Sequence, residues 1–306
     1  MGRYILKRLW HGVIVILGVT IIVFVVTRLI GDPVKLMLPM EATLEQRAAF
    51  EKQLGLDRPI PVQFLEFLGD IAHLQFGDSL WQHRPAMEIV FETMPYTLVL
   101  AFSAIGFAFV LAIPLGIIAA LRPGGATDRG TVFFSLIGLS LPQFWLGLLL
   151  IVIFSVQLHW LPTSGAATQI HILLPALTLS LPALARLVMI IRSSMIDELN
   201  QQYVKTGFAK GLPFYRVVGI HALRNAGLPI VTLVGWELIR AVAGYSVVVE
   251  TVFAWPGLGM TAMQAIDRED LILLQAIVFT VAITVVLINI LMDVAYTIID
   301  PRLKLE

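Results

Sequence analysis

The sequence predicts an all-α membrane protein with six transmembrane helices. Its 306 residues are 58% hydrophobic and only 14% charged, with a mean hydropathy of +0.87, whereas soluble domains carry about 25% charged residues. Six stretches reach the roughly 20 apolar residues that a helix needs to cross a bilayer. The 21 basic residues balance the 21 acidic ones, so no overall charge indicates a nucleic-acid partner. Without cysteine, disulfides and thiolate metal sites are excluded.

The apolar stretches follow one another along the chain with polar segments between them. The six predicted spans are Leu9–Ile30, Tyr96–Leu121, Thr131–Leu158, Ile172–Ile191, Ala226–Val249 and Ile272–Tyr296. The first follows Arg3, Lys7 and Arg8, as a signal peptide would. It is too long for a signal core and has no small-residue cleavage site after it, so we interpret it as a retained helix. Pro142 lies inside the third span, where bundled helices tolerate proline.

The distribution of basic residues predicts the orientation, because lysine and arginine are enriched in cytoplasmic loops. Six crossings place both termini and the loops 122–130 and 193–225 on one side, and all four carry basic residues. The segment 32–95 lies on the other side, with ten acidic and five basic residues. Both termini are therefore predicted to be cytoplasmic.

These boundaries divide the chain into three parts. Residues 1–31 form the N-terminus and first helix, residues 32–95 an outer segment, and residues 96–306 a five-helix core. Within the outer segment, Leu44–Leu54 and Val62–Leu74 are predicted to be helical, and glycine and proline separate them.

The loop 193–225 is predicted to form two short amphipathic helices. The first is Ser193–Lys210, and Gly211 supplies its end. Pro213 fits the first turn of the second, which continues toward His221. The apolar face of these helices either binds another protein or packs on the protein's own spans and the lipid headgroups.

The same loop carries a family resemblance. The segment Tyr203-Val-Lys-Thr-Gly-Phe-Ala-Lys-Gly211, followed by His221-Ala-Leu-Arg-Asn225, resembles the EAA loop in its peptide and nickel version. That loop marks the membrane subunits of binding-protein-dependent ABC importers. The family's glycine matches Gly211, and its Glu-Ala-Ala falls on Lys205, Thr206 and Gly207. Further matches, in the expected order, are Gly31-Asp-Pro33, Gln53-Leu-Gly-Leu-Asp-Arg-Pro59, Phe76-Gly-Asp-Ser79, Trp160-Leu-Pro-Thr-Ser-Gly165, Leu174-Pro-Ala-Leu-Thr178, Phe253-Ala-Trp-Pro-Gly-Leu-Gly259 and Asp300-Pro-Arg302.

The resemblance implies a fold and a function. The fold is that of a type I (MetI-like) ABC importer permease, and the loop is a coupling helix that docks on an ATPase subunit. The residues assigned to coupling are Tyr203, Lys205, Thr206, Gly207, Ala209, Lys210, Gly211, Leu212, Pro213 and Arg216.

The resemblance also implies partners and a location. The partners are a second homologous permease, two ABC ATPase subunits that bind ATP and magnesium, and an extracytoplasmic solute-binding protein. The chain itself would hold no cofactor or metal, and would lie in the bilayer of a bacterial inner membrane. The family's solutes are dipeptides and oligopeptides, glutathione and nickel complexes, and we favour short peptides.

Charged residues inside the spans are candidates for a second site. Glu237 and Arg240 lie three apart on one helical face, and each charge costs about 2.5–3.5 kcal/mol near a helix centre. They either line the solute path or join two permeases, and both interpretations stay open. Arg186, Asn289 and Asp293 lie nearer the cytoplasmic ends, where helix packing or snorkelling explains them.

Other classes of function find little support. The sequence has no Gly-Lys dipeptide and hence no phosphate-binding loop of the P-loop type, so ATP hydrolysis is expected on another chain. The six histidines show no paired ligand spacing, and Gly-x-Ser-x-Gly is absent. An ion-coupled secondary transporter remains the alternative from another class; it would show matching interrupted helices and several buried carboxylates. An intramembrane enzyme is a more distant one.

Overall fold

The computed structural model describes residues 2–30, 43, 45, 52 and 57–299, and it is helical over most of them. The α-helices are α1 (Gly2–Ile30), α2 (Ile60–Ala72), α3 (Ala86–Leu121), α4 (Ala126–Ser140), α5 (Gln143–Leu150), α6 (Leu173–Leu199), α7 (Gln202–Ala209), α8 (Leu223–Asn225), α9 (Gly227–Arg240), α10 (Ser246–Val252), α11 (Leu258–Asp267) and α12 (Leu271–Ile299). Three π-helical segments extend them: π1 (Ile151–Gln157), π2 (Tyr215–Ala222) and π3 (Ala241–Tyr245). Within the described residues, β structure is limited to one bridge between Asp78 and Pro85.

Among the described residues, four helical stretches are long and apolar enough to cross a membrane. They are Ala86–Leu121, Gln169–Leu199, Gly227–Val252 and Leu271–Ile298, and each contains or closely matches one predicted span. The first begins at Ala86, before the predicted Tyr96. Helix α1 covers the first predicted span, but its described apolar portion, Trp10–Val26, is shorter than the other four. The prediction of six spans therefore stays a prediction.

The third predicted span, Thr131–Leu158, is wrong as a continuous helix. Helices α4 and α5 meet at an angle of 100° in a break at Leu141 and Pro142. Leu141 has an extended backbone (φ −80°, ψ 126°), which is the conformation that a following proline imposes on its neighbour. A helix continues through a proline with only a kink where the preceding residue stays helical. Because Leu141 is extended, α4 ends here and a separate helix follows.

Helices α3 and α6 form the most extensive contact of the fold, through small residues on α3. Ala104, Ala108 and Ala112 are fully buried there. A Cβ atom on Gly116 would lie 2.6 Å from Ile191 Cγ2 and 3.2 Å from the backbone nitrogen of Arg192. Small residues let membrane helices approach this closely, so this face of α3 fixes the position of α6.

The fifth predicted span is a helix interrupted near its middle. Helix α9 passes into π3, where Gly244 has a non-helical backbone (φ 176°, ψ −31°), and α10 resumes at Ser246. Short π-helical segments inside α-helices frequently occur at functional sites.

The outer segment and α1 are described in part. Helix α2 confirms the predicted helix Val62–Leu74, whereas most of Leu44–Leu54 lies outside the described residues. Phe24 of α1 packs edge-on against one phenylalanine of α2 and at a tilt against another, at 5.2 and 5.5 Å between ring centroids. Arg8 pairs with Asp293 of α12 at 2.9 Å, so Asp293 serves helix packing, one of its two predicted roles.

Candidate functional site

The loop 193–225 begins as a continuation of α6, and the predicted single helix Ser193–Lys210 is wrong. Helix α6 runs to Leu199, and α7 starts at Gln202. Asn200 Nδ2 donates to the Ile196 carbonyl at 2.9 Å, and Gln201 is extended (φ −69°, ψ 150°). Asparagine side chains compete with the helical backbone for such hydrogen bonds, which explains why the helix ends here.

The turn at Gly211 has the geometry of a helix C-cap. Gly211 has φ +76°, and its N–H donates to the Phe208 carbonyl at 2.9 Å, while the Leu212 N–H donates to the Gly207 carbonyl at 3.2 Å. These two bonds are the Schellman motif, which favours glycine at the residue with positive φ. The predicted helix end at Gly211 is confirmed.

The next helix starts directly after Pro213, which was predicted to lie in its first turn. The Pro213 carbonyl accepts hydrogen bonds from the Arg216 and Val217 N–H groups, at 3.0 and 3.2 Å, and π2 follows. We call α7, the Gly211 turn and π2 the loop hairpin.

One face of the loop hairpin packs on the protein's own helices. Val204, Val217, Val218 and Ala222 are buried in a hydrophobic cluster with residues of α3 and α6. A Cβ atom on Gly207 would lie 3.3 Å from Val217 Cγ2, so glycine lets the two limbs of the hairpin approach closely. The interpretation that the loop packs against its own spans therefore holds for this face.

The opposite face is exposed and combines aromatic with basic side chains. Phe208, Phe214 and Tyr215 are 44%, 53% and 64% exposed. The basic residues Lys205, Lys210 and Arg216 are exposed as well, as are the assigned residues Thr206, Ala209 and Pro213. An aromatic surface rimmed by charge is typical of a protein-binding site.

Tyr203 connects the loop hairpin to α6 through a hydrogen bond. Its hydroxyl donates to Glu198 Oε2 at 2.5 Å. Burial, with this hydrogen bond as the second cause, raises the pKa of Tyr203 to about 12. The phenol therefore stays protonated, and remains a donor, throughout the physiological pH range.

An ion pair connects the end of α6 to the start of α4. Arg192 donates to both carboxylate oxygens of Asp128, through Nε and, at 2.7 Å, through Nη2. The Gly124 N–H donates to the same carboxylate at 2.7 Å. Asp128 is 3% exposed, so this bidentate pair is a stable link. The pair was not predicted from the sequence, because Asp128 and Arg192 are 64 positions apart.

Three charged residues of the spans lie together in a cluster, which we call the charged triad. Glu237 is buried, with 1% of its side chain exposed. Arg186 donates from Nε to Glu237 Oε1 at 2.6 Å and from Nη2 to Oε2 at 2.8 Å. Arg240 Nη1 reaches Oε1 at 3.4 Å. Glu237 and Arg240 are thus close, as expected from their spacing, but the closer partner is Arg186 of α6, which sequence analysis did not place at this site.

A further buried carboxylate, besides those of Asp128 and Glu237, lies near the end of α10. Glu250 is fully buried; its Oε1 accepts from Thr97 Oγ1 at 2.7 Å, and its Oε2 accepts from the Gly259 N–H at 2.7 Å and the Met260 N–H at 3.1 Å. These N–H groups belong to the first turn of α11, where a carboxylate satisfies unpaired donors. Glu250 was not predicted as a site residue, although it is a lone glutamate at the end of the apolar run Val247-Val-Val-Glu250.

Comparison with known proteins places these sites in a family. The family model "Binding-protein-dependent transport system inner membrane component" matches residues 112–305, and the corresponding N-terminal model matches residues 1–101. The chain belongs to this family. The first of the two regions contains the loop hairpin, the Asp128–Arg192 pair and the charged triad.

Relatives in this family match along their whole length. The oligopeptide transport system permease protein AppB of Bacillus subtilis is 37% identical, over 99% of this chain and 100% of its own. The di/tripeptide transport system permease protein DppB of Pseudomonas aeruginosa is 35% identical, over 99% of each chain. The glutathione transport system permease protein GsiC of Salmonella choleraesuis is 37% identical over the same shares.

Solved structures support the fold. A chain of the MetNI methionine ABC transporter, in an inward-facing conformation, superposes with a TM-score of 0.58 at 21% identity, over 70% of this chain and 97% of that one. A second crystal form gives a TM-score of 0.60. The protein is therefore a helical, multi-pass inner membrane component of a binding-protein-dependent transport system, with the fold of an ABC importer permease.

Proposed function

We propose that this permease imports short peptides, driven by ATPase subunits that dock on the loop hairpin. The observation that carries the proposal is the exposed aromatic and basic face of the hairpin, whose opposite face is fixed to α3 and α6. Full-length similarity to oligopeptide, di/tripeptide and glutathione permeases supports the solute class. Family membership disfavours the ion-coupled carrier.

The partners follow from this assignment. Two ABC ATPase subunits would bind ATP and magnesium and receive the hairpins of this chain and of a second, homologous permease. An extracytoplasmic binding protein would deliver the solute to the opposite side, and both termini of this chain would face the cytoplasm. The basic residues of the hairpin and of the loop after α3 favour that orientation.

Alternating access requires that the loop hairpin move the spans. ATP shifts the equilibrium between outward-open and inward-open forms only if it binds the two with different affinity. Closure of the ATPase dimer would draw the two hairpins together. The hairpin packs on α3 and α6, and the end of α6 is tied to α4 by Arg192 and Asp128. Its displacement would therefore carry these helices as a unit.

Substitutions at Gly211 test whether the ATPase docks on the loop hairpin. The space around its Cβ position is open, so a substitution acts through the positive φ, which costs most residues about 1–3 kcal/mol. We expect Gly211→Val to disorder the turn and to lower ATPase co-purification at least tenfold, while the chain still inserts. Asparagine tolerates this backbone, so Gly211→Asn should retain most of the ATPase.

Gly130 provides the matched control. It is half-buried and helical, and the space around its Cβ position is equally open, so Gly130→Val should leave docking unchanged. Normal yield of ATPase with Gly211→Val, together with ATP-dependent peptide uptake in proteoliposomes, would refute the docking proposal. Uphill uptake by this chain alone would refute the dependence on a partner ATPase.

A further inference from the structure

The charged triad contains one more positive than negative charge. Both oxygens of Glu237 are engaged by Arg186 at 2.6 and 2.8 Å, whereas Arg240 lies 3.4 Å from one of them. A bidentate guanidinium is the strongest partner a carboxylate finds in a protein. Arg186 is therefore the main partner of Glu237, Arg240 makes only one longer ion pair with it, and the triad keeps a net charge of +1.

Arg240 is also accessible at the depth where a charge is least tolerated. It lies near the middle of the apolar stretch Gly227–Val252, and 42% of its side chain is exposed. A cation facing hydrocarbon at that depth is strongly disfavoured, so intramembrane charges face protein or a water-filled cavity. The face of α9 that carries Arg240 therefore faces away from lipid.

The interruption of the helix lies directly beyond Arg240. Segment π3 follows at once, and Gly244 leaves the helical conformation. Irregular backbone at membrane depth occurs where it is buried in protein or lines a cavity, and broken helices in transporters mark solute sites. Trp236 and Ala243 are exposed one turn to either side of Arg240. The small Ala243 leaves room beside the guanidinium.

We propose that Arg240 binds the terminal carboxylate of the peptide as it passes between the open and closed forms of the permease. The guanidinium offers planar, paired donors that match a carboxylate, and every peptide with a free C-terminus carries one. Arg186 and Glu237 are positioning residues, because their pair holds α6 against α9 and keeps Glu237 from competing for Arg240. This inference rests on the proposed peptide function.

The test compares free peptides with their C-terminal amides. The complete complex, with second permease, ATPases and binding protein, is reconstituted in proteoliposomes. ATP-driven uptake is measured for alanine peptides of two to five residues, each as free acid and as amide. We expect Arg240→Gln to reduce the preference for the acid, expressed as the ratio of kcat/KM values, by about tenfold, the effect of one charged hydrogen bond. The ratio for Arg240→Lys should lie between those of the wild type and Arg240→Gln, because lysine keeps the positive charge but lacks the paired N–H donors of the guanidinium.

The design separates the permease from its binding protein. The binding protein is identical in all preparations, so a change in the ratio belongs to the permease. Arg122→Gln, at an exposed arginine beyond the end of α3, is the matched control and should leave the ratio unchanged.

Two outcomes overturn the inference while leaving the peptide function intact. One is an unchanged ratio for Arg240→Gln. The other is an equal loss of uptake for acid and amide together with dissociation of the second permease, which would mean that Arg240 stabilises the contact between the two permeases. A wild-type complex that imports none of these peptides would instead refute the proposed function, and the inference with it.

Discussion

At the scale of single residues, the stability of Glu237 depends on one neighbour. Its side chain is 1% exposed, and Arg186 supplies both short contacts. Removing one member of a buried ion pair costs about 3–5 kcal/mol. We expect Arg186→Met to destabilise the protein by about 3 kcal/mol, at the lower end because Arg240 retains a contact with Glu237. Thermal unfolding of the protein in nanodiscs would measure this loss.

A double substitution distinguishes the contribution of the Arg186–Glu237 charges from that of side-chain packing. Methionines at positions 186 and 237 remove the buried carboxylate that loses its main partner in Arg186→Met, and the charge that remains, Arg240, has 42% of its side chain exposed. Arg186→Met/Glu237→Met should therefore be more stable than Arg186→Met alone. A double variant as unstable as the single one would show that the aliphatic part of Arg186, and not the charge, supports this contact.

At the scale of elements, the contact between α3 and α6 depends on Gly116. A side chain there would meet Ile191 at 2.6 Å and the backbone of Arg192 at 3.2 Å. Since a backbone atom cannot rotate away, Gly116→Leu should cost about 3 kcal/mol, at the upper end for overpacked sites. Gly106→Leu, in the same helix with no neighbour within 4 Å, is the control. Comparable unfolding temperatures for the two variants would contradict the close contact.

The ends of the helices differ in how far they can be predicted from the sequence. The helix end at Gly211 and the helix start close to Pro213 were predictable, because positive φ and proline chemistry are local. The helix breaks at Asn200 because the Asn200 side chain hydrogen-bonds to a backbone carbonyl. The bend at Pro142 arises because the preceding residue has an extended backbone. Either position could also have continued a helix, which is why both predictions were wrong.

At the scale of the molecule, α6 is the central connection. Its two arginines bind carboxylates of different helices, Arg192 to Asp128 of α4 and Arg186 to Glu237 of α9. Neither pairing was predictable, because the partners lie 64 and 51 positions away and only the packed fold brings them together. Periodicity placed the helices, and the resemblance located the hairpin, but the links between them are tertiary.

The Asp128–Arg192 pair decides whether motion of the loop hairpin reaches α4. We expect Asp128→Asn to leave ATP hydrolysis by the assembled complex near its normal rate, because the docking face is unchanged. Peptide uptake per ATP should fall about tenfold, since the bidentate ion pair becomes a single hydrogen bond from the Arg192 guanidinium to a neutral amide oxygen. Arg129→Gln removes a neighbouring exposed charge whose Nε donates to the Gly124 carbonyl at 3.0 Å, and it should not uncouple. Parallel loss of hydrolysis and uptake in Asp128→Asn would mean that the pair supports the fold of the loop rather than transmission through α6.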